Sequence, residues 1–257
     1  MDMDEVLGKF DAQVRRDAVP EAGGRVDRVG GVVRHVGGWT GVLWSGLDEE
    51  GADAAIAGEL GWLASAEGRG REYEWKLYAH DRPADLGERL ARAGFTAEEP
   101  ETLMVAEVAA LDKELRTPEG VRLEVVTGTE GVEVLTRVHE AAFGRSAASL
   151  REQLLDQVAR SPESIRMVVA AAGDEPVSAA RMEIYPGTEF AGLWGGGTVP
   201  RWRGRGIYRA LIAHRARTAE ELGVRYLQVD AAETSRPILE RLGFAALSVT
   251  TPYLKQG

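Results

Sequence analysis

One short stretch constrains this chain more than any other: Thr198-Val199-Pro200-Arg201-Trp202-Arg203-Gly204-Arg205-Gly206-Ile207-Tyr208. Residues 190–199 read as a strand. Residues 206–222 read as a long helix with Ile207, Leu211, His214, Thr218 and Leu222 on its inward stripe. A strand therefore runs through a Gly- and Arg-rich turn straight into a helix. A helix start carries unpaired backbone N–H groups and the positive end of the helix dipole. Two glycines allow positive φ and close backbone approach to a ligand. Arg201, Arg203, Arg205 and Arg209 concentrate positive charge, and guanidinium geometry matches phosphate. Together these features make an anion site suited to a pyrophosphate. Other phosphate patterns fit worse. A Walker loop needs Gly-Lys-Ser/Thr, and a dinucleotide fingerprint needs a third glycine where this chain has Arg209. An Arg/Gly RNA-binding tail would be repetitive, whereas this segment occurs once between ordered elements.

The rest of the chain is acidic. Its 257 residues carry a formal net charge of -10, which repels phosphate backbones and anionic membranes, so neither nucleic acid nor membrane is an expected partner. At 44% hydrophobic and 28% charged residues the composition is globular, and the length suits one large domain or two ordinary ones. Cysteine is absent, which removes disulfides, thiolate metal sites and cysteine nucleophiles. His35, His80, His139 and His214 show no paired ligand spacing, so no metal is expected. The acidic start, Met1-Asp2-Met3-Asp4-Glu5, lacks the positive region of a secretory signal, and no apolar run approaches a membrane span. The expectation is a soluble cytoplasmic protein, monomer or homodimer.

Punctuation along the chain predicts two α+β domains of mixed α/β character, 1–112 and 113–257, each a mostly antiparallel sheet flanked by helices. The first reads as a helix over 4–16, strands over 29–36 and 41–45 around a Gly37-Gly38 turn, a helix over 52–67 and a strand over 72–78. A helix follows, opened by Asp81-Arg82-Pro83 and stopped by Gly94, and then a strand over 101–108. The linker falls in 109–119. The second reads as a strand over 121–126, helices over 131–143 and 149–160, and strands over 166–171, 177–185 and 190–199. After the long helix come a strand over 225–230, a helix over 235–242 and a strand over 244–253. Arg82-Pro83 … Arg89-Leu90 … Gly94-Phe95 echoes Arg236-Pro237 … Arg241-Leu242-Gly243-Phe244, a faint internal repeat.

Arg201-x-x-Gly204-x-Gly206 resembles the Gln/Arg-x-x-Gly-x-Gly/Ala loop of the GNAT acyltransferases. The preceding Val-Pro, and Ile238-Leu239-Glu240-Arg241-Leu242-Gly243-Phe244 downstream, are also similar to that family, over about 121–253. The first half resembles a degenerate copy without a phosphate loop. The resemblance implies acetyl-coenzyme A as cosubstrate, bound by Thr198, Val199, Arg201, Arg203, Gly204, Arg205, Gly206, Ile207, Tyr208 and Ser235. Backbone N–H groups from Arg203 through Tyr208 would hold the pyrophosphate, and the strand near 194–199 would pair with the pantetheine arm. Gly195-Gly196-Gly197 breaks that strand and suits a bulge or a close backbone approach.

The implied reaction is attack of an amine on the thioester, with a small-molecule primary amine as acceptor, cationic by the argument from charge. A base must take the ammonium proton; the candidates are Glu183 and Glu189, each otherwise a solvated residue. A backbone N–H near Val199 is the candidate oxyanion donor. The family often places a Tyr where this chain has Leu239 and an Asn where it has Ala232, so Tyr253 becomes the candidate acid, with packing as its other reading. Ser235 is also read as a plain helix cap. Trp39, Trp44, Trp62 and Trp75 read as core, or as an aromatic acceptor pocket. A non-catalytic acyl-coenzyme A sensor, a transferase for longer acyl groups, and an interaction role for the first half stay open.

Overall fold

The computed structural model describes residues 1–21 and 23–256 and divides into two compact units. The first comprises Met1–Leu103, Asp230–Thr234 and the chain end from Ala246; the second comprises Met104–Val229 and Ser235–Ala245. The units therefore interleave in sequence, unlike the linear division expected at 112/113. The cause is the last strand, which returns to pair within the first unit.

In the first unit, α1 (Met3–Phe10) is capped by Asp2, whose carboxylate accepts the Asp4 N–H at 3.1 Å, and it buries Val6 and Phe10. A widened turn, Asp11–Arg16, extends it. β1 (Arg25–Val29) and β2 (Val32–Val36) form a hairpin about Gly30-Gly31, so the single strand expected over 29–36 is two, and β3 (Thr40–Ser45) follows. After α2 (Ala52–Leu63) comes β4 (Glu72–Tyr78), which pairs parallel to β3 and buries Tyr73 and Trp75 in the core with Leu63, Leu86 and Leu90. α3 (Leu86–Arg92), β5 (Thr96–Ala97) and β6 (Glu101–Glu107) complete the run, and β6 crosses the unit boundary.

Asp81 does not cap α3 as expected, because its carboxylate is occupied elsewhere. The guanidinium of Arg15 is 2% exposed and donates to both Asp81 oxygens at 2.8 and 2.7 Å, to Asp11 at 2.6 Å and to the Leu43 carbonyl at 2.9 Å. It lies over the Tyr78 ring at 4.0 Å. Burial acts to raise the Asp11 pKa, but the hydrogen bond to His80 and the charge of Arg15 outweigh it and hold Asp11 below its usual range.

In the second unit, β7 (Val121–Val126) leads into α4 (Gly128–Phe143) and α5 (Ala148–Arg160), then β8 (Ile165–Ala172), β9 (Glu175–Ile184) and β10 (Phe190–Thr198). α6 (Ile207–Glu221), β11 (Tyr226–Ala231), α7 (Arg236–Arg241) and β12 (Ala245–Gln256) follow. β7, β8, β9 and β10 pair antiparallel in turn, and β10 pairs parallel to β11. Alternation along the strands divides the core between two faces. Met167, Val169 and Ala179 meet Val132, Leu135, Val138 and Leu154 of α4 and α5. Val168, Ala170 and Ala180 meet Ile207 and Leu211 of α6. From Thr250 to Gln256, β12 pairs antiparallel to β4 of the first unit, the unit to which that end of the strand belongs.

The faint repeat is real in three dimensions. β1-β2-β3-α2-β4-α3 and β8-β9-β10-α6-β11-α7 share one order and one pairing pattern, with a parallel pair across α2 and across α6. Both short helices close alike: Phe95 N–H donates to Leu90 C=O at 3.0 Å and Phe244 N–H to Leu239 C=O at 3.0 Å. Among the described residues no helix is long and apolar enough to cross a membrane.

Removing one partner of a buried charge leaves the other uncompensated. Asp81→Ala should therefore lower the unfolding free energy by about 3–5 kcal/mol in urea titration. A loss below about 1 kcal/mol would show that Arg15 is solvated in the mutant.

Candidate active site

β10 holds β11 only from Phe190 to Gly192, opposite Tyr226 to Gln228. Beyond Gly192 the strands part, and one edge of β10 has no β11 partner. Between Trp194 and Gly197, β10 advances three residues while β9 advances two, Arg181 to Ala179, so β10 bulges where the three glycines predict it. Gly195 has φ +62°. A Cβ on Gly196 would come within 2.7 Å of the Tyr208 ring and 3.8 Å of Arg215, and one on Gly197 within 2.7 Å of Phe143. Helix side chains thus approach the bare backbone from α4 on one face and α6 on the other.

The bulge leads to the loop. Thr198 and Ser178 share a hydroxyl hydrogen bond of 2.8 Å. The Val199 N–H donates to the Val177 carbonyl at 3.0 Å, so it is committed to the sheet and is not the oxyanion donor expected there. After the single turn Pro200–Trp202, Gly204 and Gly206 take φ +74° and +88°. The first intrahelical bond of α6 runs from the Ala210 N–H to the Gly206 carbonyl at 3.1 Å. The N–H groups of Ile207, Tyr208 and Arg209 precede it and have no acceptor within the helix. Gly204, Arg205 and Arg209 are exposed and Gly206 and Tyr208 half-buried, so this backbone is open to an anion, while the Ile207 side chain is buried in the core.

The arginines divide the work. Arg203 does not aim at a ligand: its Nε donates to the Thr198 carbonyl at 3.0 Å and its Nη2 to the Ala142 carbonyl at 2.6 Å, which ties the loop to β10 and α4. Arg201 pairs with Glu175, and Arg205 stacks on Trp202 at 4.5 Å. Arg205 and Arg209 are the exposed guanidiniums nearest the helix start.

The four remaining predicted residues do not come together. Glu183 lies on β9 opposite Gly192, where β10 and β11 part, with Arg181 Nε at 2.7 Å. Glu189 sits at the start of β10 and pairs with Arg225 at 3.1 Å; nine residues of strand, about 30 Å, separate it from the loop. Glu189 is thus paired at the turn, before the strands part. Tyr253 lies on β12 opposite Trp75 and packs against the core of the first unit, where a Cβ on Gly87 would meet its hydroxyl at 2.5 Å. Tyr253 is a packing residue. Ser235 is the cap residue of α7, its carbonyl accepting the Ile238 and Leu239 N–H groups at 3.0 and 3.1 Å.

The structure adds residues that sequence reasoning passed over. Arg181 and Glu183 share one face of β9 by strand alternation, and Tyr185 follows directly after the strand. Gln228 on β11 is 2% exposed; its amide donates to the Tyr185 hydroxyl at 2.9 Å, and its Oε1 has no partner among the described residues. On α4, burial and the charges of Arg145 and Arg181 lower the His139 pKa, so its imidazole is neutral at pH 7. On α6 the fully buried cation is Arg215; Ile207 and Leu211 of the expected stripe are buried, but beyond them the buried residues include Arg215, Ala216 and Ala219, leaving His214 half-buried and Leu222 exposed.

Comparison with known proteins agrees with this geometry. Residues 105–230 match the family model described as an acetyltransferase (GNAT) domain. That segment carries a GNAT acetyltransferase domain. The matched segment runs from the end of β6 through the loop to β11. Among solved structures, a functionally unknown conserved protein of Staphylococcus epidermidis ATCC 12228 has a TM-score of 0.67 at 16% identity, over 96% of this chain and 97% of its own. A GCN5-related N-acetyltransferase of Kribbella flavida has a TM-score of 0.62 at 18% identity, over 99% of this chain and 94% of its own. A tandem GNAT protein of the clavulanic acid biosynthesis pathway has a TM-score of 0.62 at 15% identity, over 98% and 93%. At these identities the likeness is one of fold, and it spans both units. No curated protein matches.

In this GNAT domain the loop geometry depends on Arg203. Arg203→Ala removes two charge-assisted bonds and should cost about 1.5–3 kcal/mol in chemical denaturation. An unchanged midpoint would mean that the loop holds its shape without them.

Proposed function

We propose that the second unit is an acetyl-coenzyme A-dependent N-acetyltransferase that acts on a primary amine of a small molecule. The observation that carries this reading is the continuous path from the open start of α6, through Gly206 and Gly204, to the edge of β10 beyond its pairing with β11. The fit is local. The N–H groups at the start of α6 suit a pyrophosphate, and the edge from Leu193 to Thr198 offers backbone groups to an amide-bearing arm. The coenzyme would supply an activated acetyl thioester.

The protein's part is to position, exclude water and move a proton. Glu183, half-buried at the parting of the strands, is the group placed to accept the ammonium proton, and Arg181 fixes its orientation. The backbone at the Gly195-Gly196 bulge replaces Val199 as the candidate oxyanion donor, because it lies out of register with β9. Gln228 Oε1, buried and without a partner, suits an N–H of the acceptor. Leu239 is fully buried where the resemblance implies a tyrosine. That residue favours the alternative, a non-catalytic acyl-coenzyme A sensor, which would share the cradle and differ in turnover.

The first unit is read as a degenerate copy. Its β3–α2 connection carries Asp48, Glu49 and Glu50 where the second unit has arginines. The Asp48 carboxylate already accepts the Gly51 N–H at 2.8 Å. An anion is thereby repelled from the equivalent helix start.

Calorimetric titration of acetyl-coenzyme A should give micromolar binding to the wild type. It should give none to Gly206→Asp, which places a carboxylate in the cradle at φ +88°. Folding of the variant is checked by its denaturation midpoint, since a side chain at such a φ costs about 1–2 kcal/mol. Binding retained by the folded variant would refute the site. On an amine panel Glu183→Gln should lower kcat by about 10²-fold. Coenzyme binding without turnover on any amine would favour the sensor.

A further inference from the structure

Arg215 is a buried cation that no carboxylate among the described residues answers. It lies on α6, eight residues past Ile207, or about 12 Å along the helix axis, and is 2% exposed. Its Nε donates to the Leu211 carbonyl of its own helix at 3.2 Å, and its Nη1 to the Arg181 carbonyl of β9 at 3.0 Å. The charged and titratable groups that bear on it are the Tyr208 hydroxyl and the like charge of Arg181. Burial lowers its pKa to about 10, against the opposing effect of Tyr208, so it stays cationic at neutral pH. Burial also raises the Tyr208 pKa, which keeps that hydroxyl neutral. Glu183, the carboxylate on β9, is bound to Arg181.

Burying an unpaired charge costs several kcal/mol, so packing alone does not account for an arginine here. Its position does. A Cβ on Gly196 would come 3.8 Å from Arg215 Nη2, so the guanidinium lies directly behind the bulge. From the cradle at the start of α6, the edge of β10 beyond its pairing with β11 leads back to that bulge. An arm bound along that edge would bring its thioester end to the bulge, with the Tyr208 ring and the guanidinium behind it.

We propose that Arg215 is a catalytic residue of the acetyl transfer, its Nη2 hydrogen-bonding the sulfur and stabilising the thiolate as the C–S bond breaks. This rests on the reading of the loop as an acetyl-coenzyme A site. In the step, the amine nitrogen bonds to the carbonyl carbon, the C–S bond breaks, and its electron pair stays on sulfur as the thiolate. The amine enters this step already deprotonated, its ammonium proton having left through Glu183 to solvent, and the proton released as the amide forms passes through water to the same carboxylate. Arg215 gives up no proton, so the reaction needs no acid at Leu239. A fixed cation in a water-poor site stabilises developing negative charge more strongly than the same cation in water.

The test uses the full chain with coenzyme A and acetyl-coenzyme A. The thiol pKa of bound coenzyme A, read from thiolate ultraviolet absorbance against pH, should lie at least one unit below that of free coenzyme A. In Arg215→Met it should return to the free value, and in Arg215→Lys it should fall between. Acetyl-coenzyme A affinity in these variants should stay within about threefold of wild type while kcat of Arg215→Met drops about 10²-fold or more. An undisplaced thiol pKa in the bound wild type would overturn the proposal even if no variant folds. Equal kcat in wild type and Arg215→Met would do the same. Failure of the wild type to bind coenzyme A would instead overturn the site reading on which the proposal rests.

Discussion

β10 meets two demands that a regular strand cannot meet together. At Gly192 it must hold both β9 and β11, and by Thr198 it must have left β11 and turned into α6. The bulge between Trp194 and Gly197 resolves the conflict by adding one residue on one side only. The other features of the candidate site follow from that insertion. It follows directly on the end of the pairing with β11, brings bare backbone against Tyr208 and Arg215 on one face and Phe143 on the other, and sets where the loop begins. Side chains at Gly196 or Gly197 would push the helices away, and the edge of β10 would no longer lead into the start of α6.

The two units show what that geometry requires electrostatically. Each has a parallel strand pair joined through a helix, and each ends its short helix with a Gly-Phe closure. They differ at the helix start. In the second unit the loop runs through Arg203, Gly204, Arg205 and Gly206 and leaves N–H groups unclaimed. In the first, Asp48 takes a loop N–H for itself. The same topology is open to an anion in one unit and closed in the other, and one short connection in each makes the difference.

Much of this was legible in the sequence, because it was written in local chemistry. The glycines of the bulge and the loop, the arginines around them and the Gly-Phe closures carry their meaning within a dozen residues. What depended on long-range partners was not legible. Tyr253 reads as a free end-of-strand tyrosine, but β12 lies beside β4, nearly 180 residues away in the chain, and its ring is taken up by packing. Glu189 is near Glu183 in sequence, but it lies past the hairpin turn, where Arg225 pairs with it. Asp81 reads as a helix cap until Arg15 claims it. Val199 reads as a free donor until Val177 accepts from it. The stripe of α6 holds at Ile207 and Leu211 and drifts by one residue beyond them, and that drift hides Arg215 in the sequence, since a lone arginine among apolar neighbours looks like the solvent side of a helix.

The central claim is that one contiguous backbone path, from the bulge of β10 to the first turn of α6, receives acetyl-coenzyme A. The most direct measurement is amide hydrogen exchange on the full chain with and without saturating acetyl-coenzyme A, resolved to short peptides. The account predicts slowed exchange concentrated in residues 193–209, with the β3–α2 connection at 46–51 unchanged. Protection at 46–51, or none within 193–209 under conditions where the coenzyme is shown to bind, would contradict it.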